Sequence, residues 1–326
     1  MDLLTAIQSN LLSPAILFFA LGIFAAVSKS DLKIPESLYT TLTIYLLIAI
    51  GFKGGVAINE AGIGAVWLPA LAAMALGALI PLWTFPVLRK VGKFSVADAG
   101  AVAAHYGSVS AVTFIAATNF LKSIHQPYES YASAFLAVME SPAIIVGVML
   151  GKGAFSGKLS FGDAGIRHAL RDAVLGKGVL LLIGSMLIGS VSGKSGMTMV
   201  EGFFVTPFQG VLALFLLEMG MVAGRRLGDL KKVGVFLLLF GITAPLIHGS
   251  LGVLLGTWVG LSTGGATLLG VLAASASYIA APAAVRLSLP EANPTYSLTA
   301  ALAITFPFNI TFGVPLFFEL SKHLHS

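Results

Sequence analysis

The sequence predicts an all-α polytopic membrane protein: ten transmembrane helices forming two inverted five-helix repeats, with helices 4 and 9 broken and crossing near the midplane. Three observations predict it. Of the 326 residues, 57% are hydrophobic and only 10% charged, and the mean hydropathy is +0.94. A soluble domain carries about 25% charged residues, so this chain cannot clothe a water-facing surface and its solvent is lipid. Apolar runs of spanning length alternate with short polar segments whose positive charge is one-sided. Finally, the two halves carry matching motifs in one order. The 37 glycines and 14 prolines are scattered through the apolar runs, as membrane helices tolerate. There is no cysteine, which removes disulfides, thiolate metal sites and cysteine nucleophiles. The net charge of +5 lacks the basic–aromatic clustering of a nucleic-acid surface and marks loops on one side of a membrane.

A run of roughly 20 apolar residues crosses the hydrocarbon core. Ten such runs lie near 11–28, 36–58, 63–88, 96–121, 128–151, 174–193, 200–223, 232–260, 264–287 and 294–320. The first follows MDLLTAIQSNLLSP, which has Asp2 and no basic residue before Lys29. A cleaved signal needs a positive start, so this span is expected to be retained. The segments after spans 1, 3, 5, 7 and 9 hold 15 of the 19 Lys and Arg, from Lys29 to Arg286, while the other side receives only Lys122, Lys194 and Lys322. Lys53 falls near a span end, where it can snorkel. The positive-inside rule then makes the odd loops cytoplasmic and leaves both termini outside the cell's inner (plasma) membrane. The longest loop, 151–178, divides the chain into a first repeat, 1–160, and a second, 161–326. Its DAGIRHALRDAVL stretch (163–175) reads as an amphipathic helix for the membrane surface or a soluble partner, or as a plain linker.

The repeat is legible in three places. IGFKGGVAINEAGIGAV (50–66) parallels MGMVAGRRLGDLKKVGV (219–235), VAAHYGSVSAVTFIA (102–116) parallels LAASASYIAAPAAVR (272–286), and MESP (139–142) corresponds to ITFP (304–307). Five spans per copy turn the second copy upside down, an arrangement of transporters in which the substrate sits at the midplane on interrupted helices. Spans 4 and 9 carry the interruptions, HYGSVSAVT and SASYIAAPA, each with small residues, hydroxyls and a helix breaker, Gly107 or Pro282. Unpaired backbone groups in lipid cost several kcal/mol each, so a broken helix persists only against protein or a wet cavity. The break frees N–H groups and a positive dipole end, which draw an anion. Serine oxygens can bond an oxyanion or ligate Na⁺, and close packing is the other use of such small residues.

Ionisable groups inside spans are costly and are read as functional by default. Glu140 in MESP and Asn309, two residues after Pro307, offer oxygen to Na⁺, together with the hydroxyls of Ser108, Ser110 and Ser277; a buried ion pair is the other use for Glu140. Glu218 serves either a site or an interhelical or oligomer pair. His105 and His248 read as hydrogen-bonded core, since no convergent metal-ligand spacing accompanies them. Asp98 complements the dipole at the start of span 4. Without a Walker sequence, a nucleophile elbow or a dinucleotide fingerprint, the chain does not read as an enzyme, and uphill transport would draw on an ion gradient.

Over nearly its whole length the chain resembles the sodium-dependent bicarbonate transporter family. The resemblance rests on LKIPESLYTTL (32–42), IGFKGGVAI (50–58), HYGSVSAVT (105–113), MESPA (139–143), EMGMVAGRRLGDLKKVG (218–234), APLIHGS (244–250), AASASYIAAPAAVRLSLPEANPTY (273–296) and the FFEL region. It implies a homotrimeric elevator-type symporter with no cofactor beyond Na⁺ as coupling ion. A scaffold and a moving core, both drawn from the two repeats, would hold bicarbonate and Na⁺ between the broken helices. By position, the bicarbonate contacts would be Ser108, Val109, Ser110 and Ala111 after Gly107, with Thr113 adjacent, and Ser275, Ala276, Ser277 and Tyr278. The family further implies inhibition by a PII-like protein at the cytoplasmic face. This chain departs from cyanobacterial members in carrying Tyr278 and Val222 where they have acids, and in its shorter central loop, which places it in a non-cyanobacterial branch. Alternatives are a Na⁺-coupled carrier of another small anion or monocarboxylate, or an uncoupled anion channel.

Overall fold

The structure, a computed structural model, describes residues 3–153, 171 and 175–326, and among these it contains no strand. The stretch 163–175, read above as an amphipathic helix or linker, lies almost wholly outside the described residues. In the first half the helices are α1 (Leu3–Leu11), α2 (Pro14–Val27), α3 (Glu36–Ala61), α4 (Ile63–Lys90), α5 (Val96–Gly107), α6 (Ala111–Ser123) and α7 (Ser133–Gly151). The second half has α8 (Lys177–Phe204), α9 (Phe208–Arg226), α10 (Leu230–Trp258), α11 (Thr263–Ala274), α12 (Ala280–Ser288) and α13, running Pro294–Leu324. Seven segments among the described residues are long and apolar enough to cross a membrane. They include Val96–Ser123, which joins α5 to α6, and Phe208–Trp258, which joins α9 to α10. Pro14–Val27 and Thr263–Ala274 are apolar but shorter. Large apolar side chains such as Val191, Leu187, Trp258 and Leu239 lie exposed on these helices, as a lipid-facing surface requires and a water-facing one forbids.

Close backbone approach, made possible by glycine, organises the packing. α3 lies along α8, and α2 along α9. A Cβ on Gly55 would stand 1.9 Å from the Met186 carbonyl oxygen, and one on Gly189 would stand 2.2 Å from that of Phe52. At the other crossing, a Cβ on Gly22 would meet the Leu217 oxygen at 2.1 Å, and one on Gly220 the Phe19 oxygen at 2.0 Å. Gly22 and Gly189 are 167 positions apart. Without a hydrophobic force between helices in lipid, such small-residue contacts supply the association through dispersion. The remaining helices pack mainly among themselves: α4 with α5 and α7, α5 with α7, α10 with α11, and α11 with α13. Lys53, set within α3, places its ammonium 4.4 Å from the centre of the Phe208 ring.

The two interrupted segments match in detail. α5 and α11 are each 12 residues long and start 167 positions apart. Both begin on a serine cap: Ser95 Oγ accepts from Asp98 N–H, and Ser262 Oγ from Gly265 N–H. Both stop at an extended serine, Ser108 (φ −80°, ψ 171°) and Ser275 (φ −80°, ψ 161°). Asp98 is the helix-start acid expected from the sequence, and it also accepts from Ser95 Oγ (2.6 Å) and from Asn293 N–H (2.7 Å). Pro282, expected at the break itself, lies instead in the first turn of α12, where a missing N–H leaves no helical bond unmade. α13 opens into π-helical turns at Ala300–Thr305 and Asn309–Gly313. Asn10 Nδ2 donates to the carbonyls of Ile310 and Thr311 in the second of these.

Replacing Ser95 by Ala is expected to cost about 1 kcal/mol, the typical worth of an N-cap. It would read as a thermal midpoint a few degrees lower in detergent, whereas Thr198→Ala, whose hydroxyl only bonds its own helix at Lys194, should leave the midpoint in place.

Candidate functional site

Residues 108–110 between α5 and α6, and 275–279 between α11 and α12, face each other and are tied directly. Ser110 N–H donates to Ser275 Oγ (2.9 Å), Ser110 Oγ donates to the Tyr278 phenol (3.2 Å), and Ser277 N–H donates to the His105 carbonyl (2.7 Å). The same hydroxyls also cap helices. Ser110 Oγ accepts from Thr113 N–H (3.1 Å) at the start of α6, and Ser277 Oγ accepts from Ala281 N–H (3.2 Å) at the start of α12. Ser275 Oγ further donates to Leu272 O at 2.7 Å. The serines thus first build the site: they satisfy helix ends and lock one interruption onto the other. Tyr278 packs edge-on against Phe306 with ring centres 5.5 Å apart. Having accepted from Ser110, its phenol keeps its own proton to donate.

Between the two interruptions lies a cavity of about 30 Å³, lined by Val109, Ser110 and Ala111 on one side and Ser277, Tyr278, Ile279 and Ala280 on the other. Leu47 of α3, Glu140 of α7 and Gly178 of α8 close it. A cavity needs about 10–15 Å³ of such space to hold a water, so in this conformation it can take water or a small ion. It adjoins a cavity of about 360 Å³ lined by Tyr39, Thr40, Thr43 and Ile44 of α3, Lys177 and Leu181 of α8, Glu140, Ile279 and Leu287. Glu140, Leu47, Gly178, Ile279 and Ala280 border both. The N-termini of α6 and α12 both open on the small cavity, and their first N–H groups have no acceptor within their own helix. Positive backbone ends and a carboxylate therefore converge where α3 and α8 meet the rest of the molecule.

Of the residues singled out from sequence, Val109, Ser110, Ala111, Ser277, Tyr278 and Glu140 are brought around this one cavity. Ser108, Ser275, Ala276 and Thr113 are buried but do not line it. Gly107 serves packing: a Cβ there would lie 2.4 Å from Pro81 Cγ. Asn309 donates through Nδ2 to Ala274 O (2.7 Å), the last residue of α11. Its Oδ1, with Ser108 Oγ and Glu140 Oε1, is a buried oxygen with no hydrogen-bond partner among the described residues. Such atoms cost about 1–3 kcal/mol each when nothing satisfies them, and of the three only Glu140 belongs to a residue that borders the small cavity. Thr305 donates to Gly241 O (2.7 Å), so the Tyr106 phenol, also at 2.7 Å, donates to Thr305.

Glu218 pairs with Arg225 at 3.0 Å on its own helix rather than across an interface, and its Oε2 remains buried without a partner. His248, expected to be a hydrogen-bonded core residue, has both ring nitrogens buried with no partner among the described residues; its ring is instead edge-on to Trp83 at 4.8 Å, an apolar packing contact. Sequence reasoning missed the contribution of α3. Tyr39, Thr40, Thr43 and Leu47 line the approach, and the hydroxyl-rich run LYTTLT (38–43) was the available signal.

Long apolar helices define a multi-pass membrane protein, and two of them stop beside one small cavity bordered by Glu140. The chain belongs to the Na⁺-dependent bicarbonate transporter superfamily, whose sequence profile matches residues 14–322. That is a family of transporters, not of enzymes, and membership carries Na⁺-dependent bicarbonate transport as its activity. No curated protein matches the chain.

Proposed function

We propose that the chain is a secondary active symporter that imports bicarbonate with Na⁺ by an elevator-type movement. The carrying observation is the cavity that joins the two helix interruptions to Glu140 at the boundary between packing groups. α2, α3, α8 and α9 pair through glycine crossings and form the scaffold; α4–α7 and α10–α13 form the moving core. Both groups draw one part from each half, and the 167-residue correspondence supports two inverted repeats, 1–160 and 161–326, with the interruptions meeting near the midplane. The larger cavity reaches the starts of α3 and α8, which follow basic segments, so the site is approached here from the cytoplasmic side. Both termini then lie outside the inner membrane.

In this reading bicarbonate meets the open N–H groups of α6 and α12, with Ser108, Val109, Ser110, Ala111, Ser275, Ala276, Ser277 and Tyr278 forming its surroundings. Na⁺ takes oxygen from Glu140, Asn309 and Ser108, while Ser110 and Ser277 position the backbone. A homotrimeric assembly and a PII-like regulator at the cytoplasmic face belong to the same reading through the family. Tyr278, neutral where an acid would add charge, favours one second reading: the same mechanism acting on another small anion or monocarboxylate.

Purified protein in vesicles tests the proposal. Radiolabelled bicarbonate should accumulate against its gradient only under an inward Na⁺ gradient. Uptake that equilibrates regardless of Na⁺ identifies an uncoupled channel instead, and failure of excess bicarbonate to compete with a transported carboxylate identifies the second reading. Glu140→Gln should raise the half-saturating Na⁺ concentration about tenfold, equivalent to about 1.4 kcal/mol; an unchanged Na⁺ dependence removes Glu140 from the ion site. Because the chain has no cysteine, Leu47→Cys with Ala280→Cys can be bridged by a short thiol crosslinker. Bridging scaffold to core should stop uptake, and uptake that continues would refute the relative movement.

A further inference from the structure

A second cavity, of about 470 Å³, is bordered by His105 and shares no lining residue with the cavity between the helix interruptions. It is bounded by Ala101 and His105 of α5, Pro282 and Arg286 of α12, Ala292 in the turn after α12, and Ser297 of α13. His105 is 1% exposed, and its Nε2 is buried with no partner among the described residues. The state of that nitrogen follows from its neighbour. Nδ1 lies 2.7 Å from the Ala101 carbonyl, which can only accept, so Nδ1 carries the proton and the neutral ring leaves Nε2 a bare acceptor, buried in a residue that borders the cavity. Arg286 supplies the charge. It is exposed and has no ion pair among the described residues. The nearby Asp98 carboxylate is already taken by Ser95 Oγ and Asn293 N–H, and Glu291 does not line the cavity. His105 also connects the two sites, because its carbonyl accepts from Ser277 N–H.

We propose that this cavity is a second anion site, in which Arg286 holds the negative charge and His105 Nε2 accepts a hydrogen bond from an O–H on the same anion. A cation beside a bare acceptor selects a particular chemistry: a small oxyanion that keeps one acidic proton. Bicarbonate has this form; formate and nitrate carry the charge without the O–H. The inference rests on anion transport by the interrupted helices and deepens it by giving the anion a holding place on the side of Arg286 and the basic loops. It also gives the acceptor nitrogen of a buried histidine a role that core packing does not require.

The test reads occupancy separately from transport. In the full-length, otherwise cysteine-free chain, Ala292→Cys places a thiol on the cavity wall, and its rate of modification by a small maleimide is followed with bicarbonate, formate or nitrate present. Bicarbonate is expected to slow modification about tenfold, and formate and nitrate no more than about twofold. Arg286→Gln should remove protection by all three. His105→Phe should reduce bicarbonate protection to the formate level, while His105→Gln, which restores an acceptor, should recover most of it. His105→Gln also guards against a variant that merely misfolds. Equal protection by bicarbonate and formate, or protection that survives Arg286→Gln, overturns the proposal. Vesicle uptake by the Ala292→Cys protein is measured alongside. Uptake without protection refutes this site and leaves the transport reading intact, whereas protection without uptake supports the site and refutes transport.

Discussion

Ser110→Ala and Ser277→Ala are each expected to lower Na⁺-driven bicarbonate uptake by at least about tenfold while the protein remains folded. The stability cost is modest. Ser110→Ala removes the cap on α6 and the bond to Tyr278, together about 1–2 kcal/mol, and leaves the backbone bond to Ser275. The functional cost is larger because those bonds hold two helix ends to one geometry, and misplacing reacting or binding groups by about 1 Å can cost about a hundredfold. Ser277→Ala removes the acceptor of Ala281 N–H in the first turn of α12 but keeps the backbone bond to His105. Thr118→Ala, in the same α6 but with its hydroxyl bonded only to Ile115 O, should transport normally. Size-exclusion profiles and thermal midpoints in detergent, set beside vesicle uptake, separate the two effects. If both serine variants transport at the wild-type rate, the interruptions are not the site. Adding Tyr278→Phe to Ser110→Ala should produce less than the sum of the single losses, since the two share one hydrogen bond.

Gly220→Val and Gly55→Val should have the largest effect on the fold. A Cβ at Gly220 would stand 2.0 Å from the backbone oxygen of Phe19, and one at Gly55 1.9 Å from that of Met186. A carbonyl in a helix cannot rotate aside, so the helices must separate along the crossing and lose the contacts that hold them. Overpacking of cores costs typically 1–3 kcal/mol, and two rigid backbones place these positions at or beyond the top of that range. The expected result is little monodisperse protein after extraction and a thermal midpoint lowered by ten degrees or more. Gly210→Val, in the same α9 with no atom within 4 Å of its added Cβ, is the control and should behave as wild type. Normal yield from Gly220→Val would show that the α2–α9 crossing is dispensable.

Much of this molecule is legible from local sequence, though unevenly. The apolar runs locate helices because hydropathy and helix-ending residues act over a few neighbours. HYGSVSAVT and SASYIAAPA coincide with the places where α5 and α11 stop. Asp98 sits at a helix start as its charge and its place after Ser95 imply. Pro282 was less well placed from sequence, because a proline marks either a break or a first turn, and only the position of Ala280 as the first residue of α12 distinguishes them. The part played by Tyr39, Thr40 and Leu47 was hidden, because a hydroxyl on an apolar helix has no local mark of the cavity it will face. Glu218 could not be assigned until Arg225, seven positions along the same helix, was seen to reach it.

By itself, the sequence determined the solvent of this protein, its helical class, its family and the two polar stretches in its oily helices. Each follows from composition or from motifs a few residues long. Only the tertiary structure decided which oxygens are already committed. Ser110 meets Ser275 and Tyr278 across 165 and 168 positions of chain, and Ser108 Oγ, Asn309 Oδ1 and Glu140 Oε1 remain unpartnered. Hydrogen-bond satisfaction is a property of pairs brought together by packing, and no local pattern encodes which partner arrives.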